Sequence, residues 1–72
     1  MSKFEILIAS LPHRERLVAE IYYDNMYWVQ ISHEDDELCL QFYAHPTEKC
    51  WTFPFEEAMK ILNDAKKKLL EL

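Results

Sequence analysis

Phe55-Glu56-Glu57-Ala58-Met59-Lys60-Ile61-Leu62-Asn63-Asp64-Ala65-Lys66-Lys67-Lys68-Leu69-Leu70-Glu71-Leu72 is the stretch whose hydrophobic pattern has a single interpretation, an amphipathic helix. Phe55, Ala58, Leu62, Ala65, Leu69 and Leu72 recur at steps of three and four, so they fall on one stripe, which Met59 and Ile61 widen. Pro54 stands where the first helical residue is expected. Glu56 and Glu57 in the first turn and Lys66, Lys67 and Lys68 in the last suit the helix dipole. A helix with one apolar stripe needs an apolar surface to lie on, and the preceding residues must supply it as a sheet.

They read as five strands. Lys3 to Ala9 alternates with Phe4, Ile6 and Ile8 on one side. After the break at Pro12, Arg16 to Tyr23 puts Leu17, Ala19, Ile21 and Tyr23 on one face and Val18, Glu20 and Tyr22 on the other. Asp24 and Asn25 are turn formers that tolerate a left-handed backbone. Tyr27 to His33 has Val29 and Ile31 inward, with Trp28, Gln30 and Ser32 opposite. Beyond the turn Glu34-Asp35-Asp36-Glu37, Leu38 to Tyr43 points Leu38, Leu40 and Phe42 inward. A proline-containing loop then leads to a short strand, Cys50 to Phe53, with Trp51 and Phe53 inward. The expected fold is α+β: an antiparallel five-stranded β-meander with one C-terminal α-helix packed on one face, a single domain over residues 1–72.

Matching core residues across each pair fixes the expected register. A three-residue loop, Asp24-Asn25-Met26, sets Ile21 opposite Val29 and Tyr22 opposite Trp28. The acidic turn sets Ile31 opposite Leu40 and Trp28 opposite Tyr43. The last loop sets Phe42 opposite Trp51 and Tyr43 opposite Cys50. The helix-free face then carries two transverse rows, Tyr22-Trp28-Tyr43-Cys50 and Glu20-Gln30-Gln41-Thr52.

Composition narrows the function. The net charge of −5 is uneven: residues 1–57 hold eleven acids against Lys3, Arg14, Arg16 and Lys49, so the sheet half is the acidic half. Such a surface disfavours nucleic acid and suits a basic protein partner. With no glycine in the chain, no standard phosphate-cradling loop can be written, and no cofactor is expected. No apolar run is long enough to span a bilayer and Met1-Ser2-Lys3-Phe4 lacks a signal peptide's apolar region, so a cytoplasmic protein with no membrane partner is expected. Cys39 and Cys50 are expected to stay reduced, about 14 Å apart in this register.

The candidate partner-binding residues are Glu20, Tyr22, Trp28, Gln30, Gln41 and Tyr43 on the helix-free face, with Asp35 and Asp36 of the acidic turn adding long-range attraction. Tyr and Trp give large contact area with few rotatable bonds, and a partner's Arg or Lys can stack on the rings beside Glu20. The competing readings are that the aromatics only support the sheet, or join two copies in a homodimer. The acidic turn lacks the spaced ligands and glycine of a calcium loop. Cys50 with His45 nearby has no rigid oxyanion-hole element, and His13 and His33 fall at opposite ends of different elements without metal spacing. No catalytic or metal-binding residue is assigned, and the chain is not expected to be an enzyme.

Leu17-Val18-Ala19-Glu20-Ile21-Tyr22-Tyr23, Trp28-Val29-Gln30-Ile31-Ser32-His33-Glu34, Gln41-Phe42-Tyr43 and Trp51-Thr52-Phe53-Pro54-Phe55-Glu56-Glu57-Ala58 together resemble, in layout, small bacterial immunity-type proteins. The resemblance implies a compact acidic α+β protein that neutralises a toxin domain in the same cytosol. A small phage-encoded inhibitor such as an anti-CRISPR protein shares this layout.

Overall fold

The computed structural model describes residues 3–71; Met1, Ser2 and the last stripe position, Leu72, lie outside the described residues. The fold is α+β, with an antiparallel sheet and one C-terminal helix. Among the described residues, β1 (Phe4–Ala9), β2 (Val18–Tyr23), β3 (Met26–Glu34) and β4 (Glu37–Phe42) lie in chain order across the sheet, and α1 (Phe55–Leu70) follows. The fifth strand expected at Cys50 to Phe53 does not form, so the pairings of Phe42 with Trp51 and Tyr43 with Cys50 are absent. Between β4 and α1 the chain must leave the sheet edge and cross the helix side, because the helix it enters packs over β1 and β2. The inward direction of Trp51 and Phe53 survives this change. Phe53 plugs the end of the core, its ring 5.1 Å from Phe4, 4.9 Å from Tyr23 and 4.9 Å from Trp28. The Trp51 indole donates to the Tyr43 carbonyl at 2.8 Å.

Both inner hairpins close on two residues. Tyr23 pairs with Met26 and Glu34 with Glu37, around Asp24-Asn25 and Asp35-Asp36. All four turn residues have positive φ, between 49° and 66°, the double left-handed geometry that matches the twist of a two-residue hairpin. In a chain without glycine, Asp and Asn occupy these positions because they tolerate it best.

The Asp24-Asn25 turn is one residue shorter than the expected three-residue loop, yet Ile21 still faces Val29. Tyr23↔Met26 and Ile21↔Val29 differ by one residue in register, and β3 absorbs the extra residue as a bulge at Trp28, between Tyr27 and Val29. The bulge places Tyr27 opposite Tyr22 and turns Trp28 to the helix side. There Trp28 is 6 % exposed and packs with Phe4, Phe53 and Phe42. The expected place of Trp28 on the helix-free face is therefore overturned.

The core comprises Phe4, Ala19, Ile21, Trp28, Val29, Ile31, Ala65 and Leu69. The helix begins at Phe55 as expected, with Pro54 as its N-cap in place of its first residue, and the Pro54 carbonyl accepts the Ala58 N–H at 3.1 Å. A helix is about 10 Å wide and strands lie about 4.8 Å apart, so one helix seated on β1 and β2 cannot also cover β4. Leu38, Leu40 and Phe42, expected inward, are accordingly 39, 50 and 59 % exposed. Phe55, expected on the buried stripe, is 72 % exposed.

Candidate partner-binding face

The sheet face opposite the helix has two unlike halves. Near the β3–β4 turn, the connection between β1 and β2 folds back over it. Arg14 donates to the Glu34 carboxylate and reaches Gln41 Oε1 at 3.5 Å, and Val18 and Ser32 are buried beneath, around a crevice of about 10 Å³. Gln41 is thus engaged by Arg14 rather than standing in an open row. Thr52 and Cys50 belong to the β4–α1 connection and join neither expected row.

The other half, toward the Asp24-Asn25 turn, is a row of three tyrosines. Tyr22 and Tyr27 stack with ring centres 4.8 Å apart, and Tyr27 and Tyr43 lie 4.4 Å apart. Their hydroxyls converge on two side chains. Glu20 accepts from Tyr27 at 3.0 Å and from Tyr22 at 3.3 Å, and the Gln30 amide donates to Tyr27 at 3.0 Å and to Tyr43 at 3.5 Å. Glu20, Gln30 and Gln41 are cross-strand neighbours in the ladder, which is why they meet. Gln30 is 4 % exposed, and its Oε1 is buried without a hydrogen-bond partner among the described residues. Glu5 and Leu7 of β1, opposite Tyr22 and Glu20, border the row, and Leu7 is half exposed.

These contacts fix protonation. Burial, then the charge of Glu20 and its hydrogen bond, raises the Tyr22 hydroxyl above its ordinary pKa near 10. Burial raises Tyr27 further; Glu20 acts in the same direction and the Gln30 hydrogen bond opposes it. Both phenols remain neutral donors to the Glu20 carboxylate, and the three rings lie against one another along the row.

Of the residues expected to bind a partner, the structure brings together Glu20, Tyr22, Gln30 and Tyr43, with Gln41 beside them under Arg14. It removes Trp28 to the core. Asp35 and Asp36 occupy the opposite end of β3, eight residues or about 26 Å from Tyr27, and so stand apart from the row. Tyr27 is the member that sequence reasoning missed. Its signal was the conflict between a two-residue Asp-Asn turn and the Ile21–Val29 core pairing, which only a bulge resolves.

The other chemistry-bearing side chains converge less. His45 and Cys50 line one open cavity of about 560 Å³ with Trp51 and Tyr23. His45 Nδ1 accepts the amide N–H of Thr47 at 3.1 Å and of Glu48 at 2.9 Å. The neutral ring thus carries its proton on Nε2 and has no free lone pair with which to take one from a thiol. Cys39 and Cys50 are free and exposed. His13 and His33, expected apart, line a common cavity of about 230 Å³ with Arg14, Glu34 and Asp35. Among the described residues no group of three or more His, Cys, Asp or Glu is placed to hold a metal ion. No described helix is long and apolar enough to cross a membrane. The chain matches no protein-family model, no curated protein and no solved structure.

Proposed function

We propose that the protein is a non-catalytic binder that inhibits another protein, a toxin domain with a basic surface, and that it docks through the helix-free half-face of Tyr22, Tyr27, Tyr43 and Glu20. The observation that carries this reading is the tyrosine row, with Tyr22 and Tyr27 hydrogen-bonded to the Glu20 carboxylate and Tyr27 and Tyr43 to the Gln30 amide. Three rings held rigid before any partner arrives lose little entropy on binding, and they offer stacking surface for Arg or Lys. Glu20 and Glu5 give that surface a negative potential, while Arg14 is paired with Glu34 at the far end of the same face. The same charge disfavours a phosphate backbone. The resemblance in layout to immunity-type proteins supports the toxin as partner class, and a cytoplasmic setting goes with it.

The test is capture of the partner from the native host, followed by binding and inhibition assays with purified proteins. Tyr27→Ala, in a protein that still melts cooperatively, is expected to weaken binding by at least about 2 kcal/mol, as a central aromatic hot spot does. Replacing Asp35 and Asp36 by Asn should slow association and lessen its salt dependence with little change in dissociation. If Tyr27→Ala binds as wild type while the acidic-turn variant dissociates faster, the docking site is the turn and the tyrosines serve only the sheet.

A further inference from the structure

We propose that β4 is a self-association edge, on which a second copy of this chain adds its own β4 antiparallel about a two-fold axis through the Leu40–Leu40 pair. The Tyr43 N–H donates to the Trp28 carbonyl at 2.9 Å, so Tyr43 directs its backbone groups toward β3. Directions alternate along a strand, and Leu38, Leu40 and Phe42 therefore direct theirs away from the sheet, where no described strand pairs with them. The same three residues carry the exposed side chains on the helix side. Backbone donors and acceptors and apolar side chains are thus available at the same positions.

The edge has few of the features that block edge pairing. Glu37-Leu38-Cys39-Leu40-Gln41-Phe42 holds no lysine and no proline, and its one charge lies at its first residue. The occupant follows from self-complementarity. A two-fold centred on Leu40 pairs Leu38 with Phe42 of the second copy and Leu40 with Leu40, while Cys39 faces Gln41 on the other side. Glu37 then lies opposite Tyr43, and the two Glu37 side chains stand six residues apart, about 20 Å, beyond the screening length at physiological salt. The acidic turns part in the same way.

The helix flank contributes as well. Met59, 37 % exposed, lines a groove of about 290 Å³ with Leu38 and Leu40, and Phe55 sits one turn before it. Leu38, Leu40, Phe42, Phe55 and Met59 expose roughly 500 Å² between them, so two copies bury at most about 1,000 Å² of apolar side chain here, the size of a weak, transient interface. The product is a continuous eight-stranded sheet, with both helices on one side and both tyrosine rows on the other.

Sedimentation and light scattering of the full chain test the stoichiometry, and cross-linking tests the register. A dimer is expected at about 100 μM, within the range of weak specific association, and Leu40→Lys should raise its dissociation constant at least about tenfold. Tyr27→Ala should leave it unchanged. In a background with Cys39 and Cys50 replaced by Ser, Leu40→Cys should form an intermolecular disulfide on mild oxidation, because directly opposed residues lie about 5.5 Å apart. Phe42→Cys, about 13 Å from its own copy, should not. A wild-type protein that stays monomeric at that concentration overturns the proposal. So does a dimer insensitive to Leu40→Lys, or one that cross-links faster through Phe42→Cys.

Discussion

Trp28 shows how much one residue's direction decides. Placed by the bulge among Phe4, Phe53 and Phe42, it is a core residue, and Trp28→Ala is expected to destabilise by about 3 to 5 kcal/mol in a urea melt. A loss below about 1 kcal/mol would mean that the indole is not packed there. Gln30 has the opposite character, since a buried unpartnered acceptor costs about 1 to 3 kcal/mol. Gln30→Leu should therefore stay within about 1 kcal/mol of wild type, or exceed it, while loosening the tyrosine row and weakening partner binding. Equal losses of stability and binding would deny it that role. Tyr22 and Tyr27 supply a pH signature. Their folded-state values lie above the ordinary value near 10, so the unfolded chain releases these protons first. Stability from this source is complete below about pH 10 and falls as pH rises toward the folded values. In an alkaline titration followed by tyrosinate absorbance, Tyr22 and Tyr27 should ionise later in the folded protein than in the unfolded chain, and Glu20→Gln should bring them earlier. Ionisation of Tyr22 and Tyr27 at the same pH in the folded protein as in the unfolded chain would contradict the hydrogen-bonded row.

Among the elements, the strands and helix were legible because their periods are. Phe4, Ile6 and Ile8 on β1 and Ala65 and Leu69 on α1 lie where alternation and the 3.6-residue stripe place them. The Ile21–Val29 and Ile31–Leu40 pairings also stand. What periodicity could not show was how far one helix reaches. It marks a residue as apolar but not as covered, so Phe55 and the inward-pointing side of β4 read as core. Nor could it separate a plug from a strand at Trp51 and Phe53, since both point two alternate residues inward. The candidate site was half legible for a related reason, because a single inserted residue exchanges Tyr27 for Trp28 across the sheet. Two comparisons of variants check these assignments. Leu69→Ala is expected to cost about 2 to 5 kcal/mol and Lys67→Ala less than about 0.5. Asn25→Gly should raise stability by up to about 1 kcal/mol by relieving a left-handed residue, where Asn25→Ala lowers it. If Asn25→Gly and Asn25→Ala melt alike, the turn does not hold Asn25 in that conformation.

The whole molecule bears the mark of its uncovered edge. Its radius of gyration is 12.3 Å, against about 11 Å for a compact chain of this length. With the helix on two strands and a four-stranded sheet beneath, one flank remains for other molecules on each side of the sheet. The two-residue turns also govern how quickly such a shape is reached. They join neighbours in sequence, so β2, β3 and β4 can zip from Asp24-Asn25 and Asp35-Asp36 with little loop to close, whereas α1 meets β1 only after the rest of the chain has been gathered. The rate-limiting structure should consist of the paired hairpins, with the helix still undocked. In stopped-flow measurements Ile31→Val should slow refolding, and Leu69→Ala should mainly hasten unfolding. The late-docking helix then sets the lifetime of the native state, and the left-handed turns set the speed of its formation.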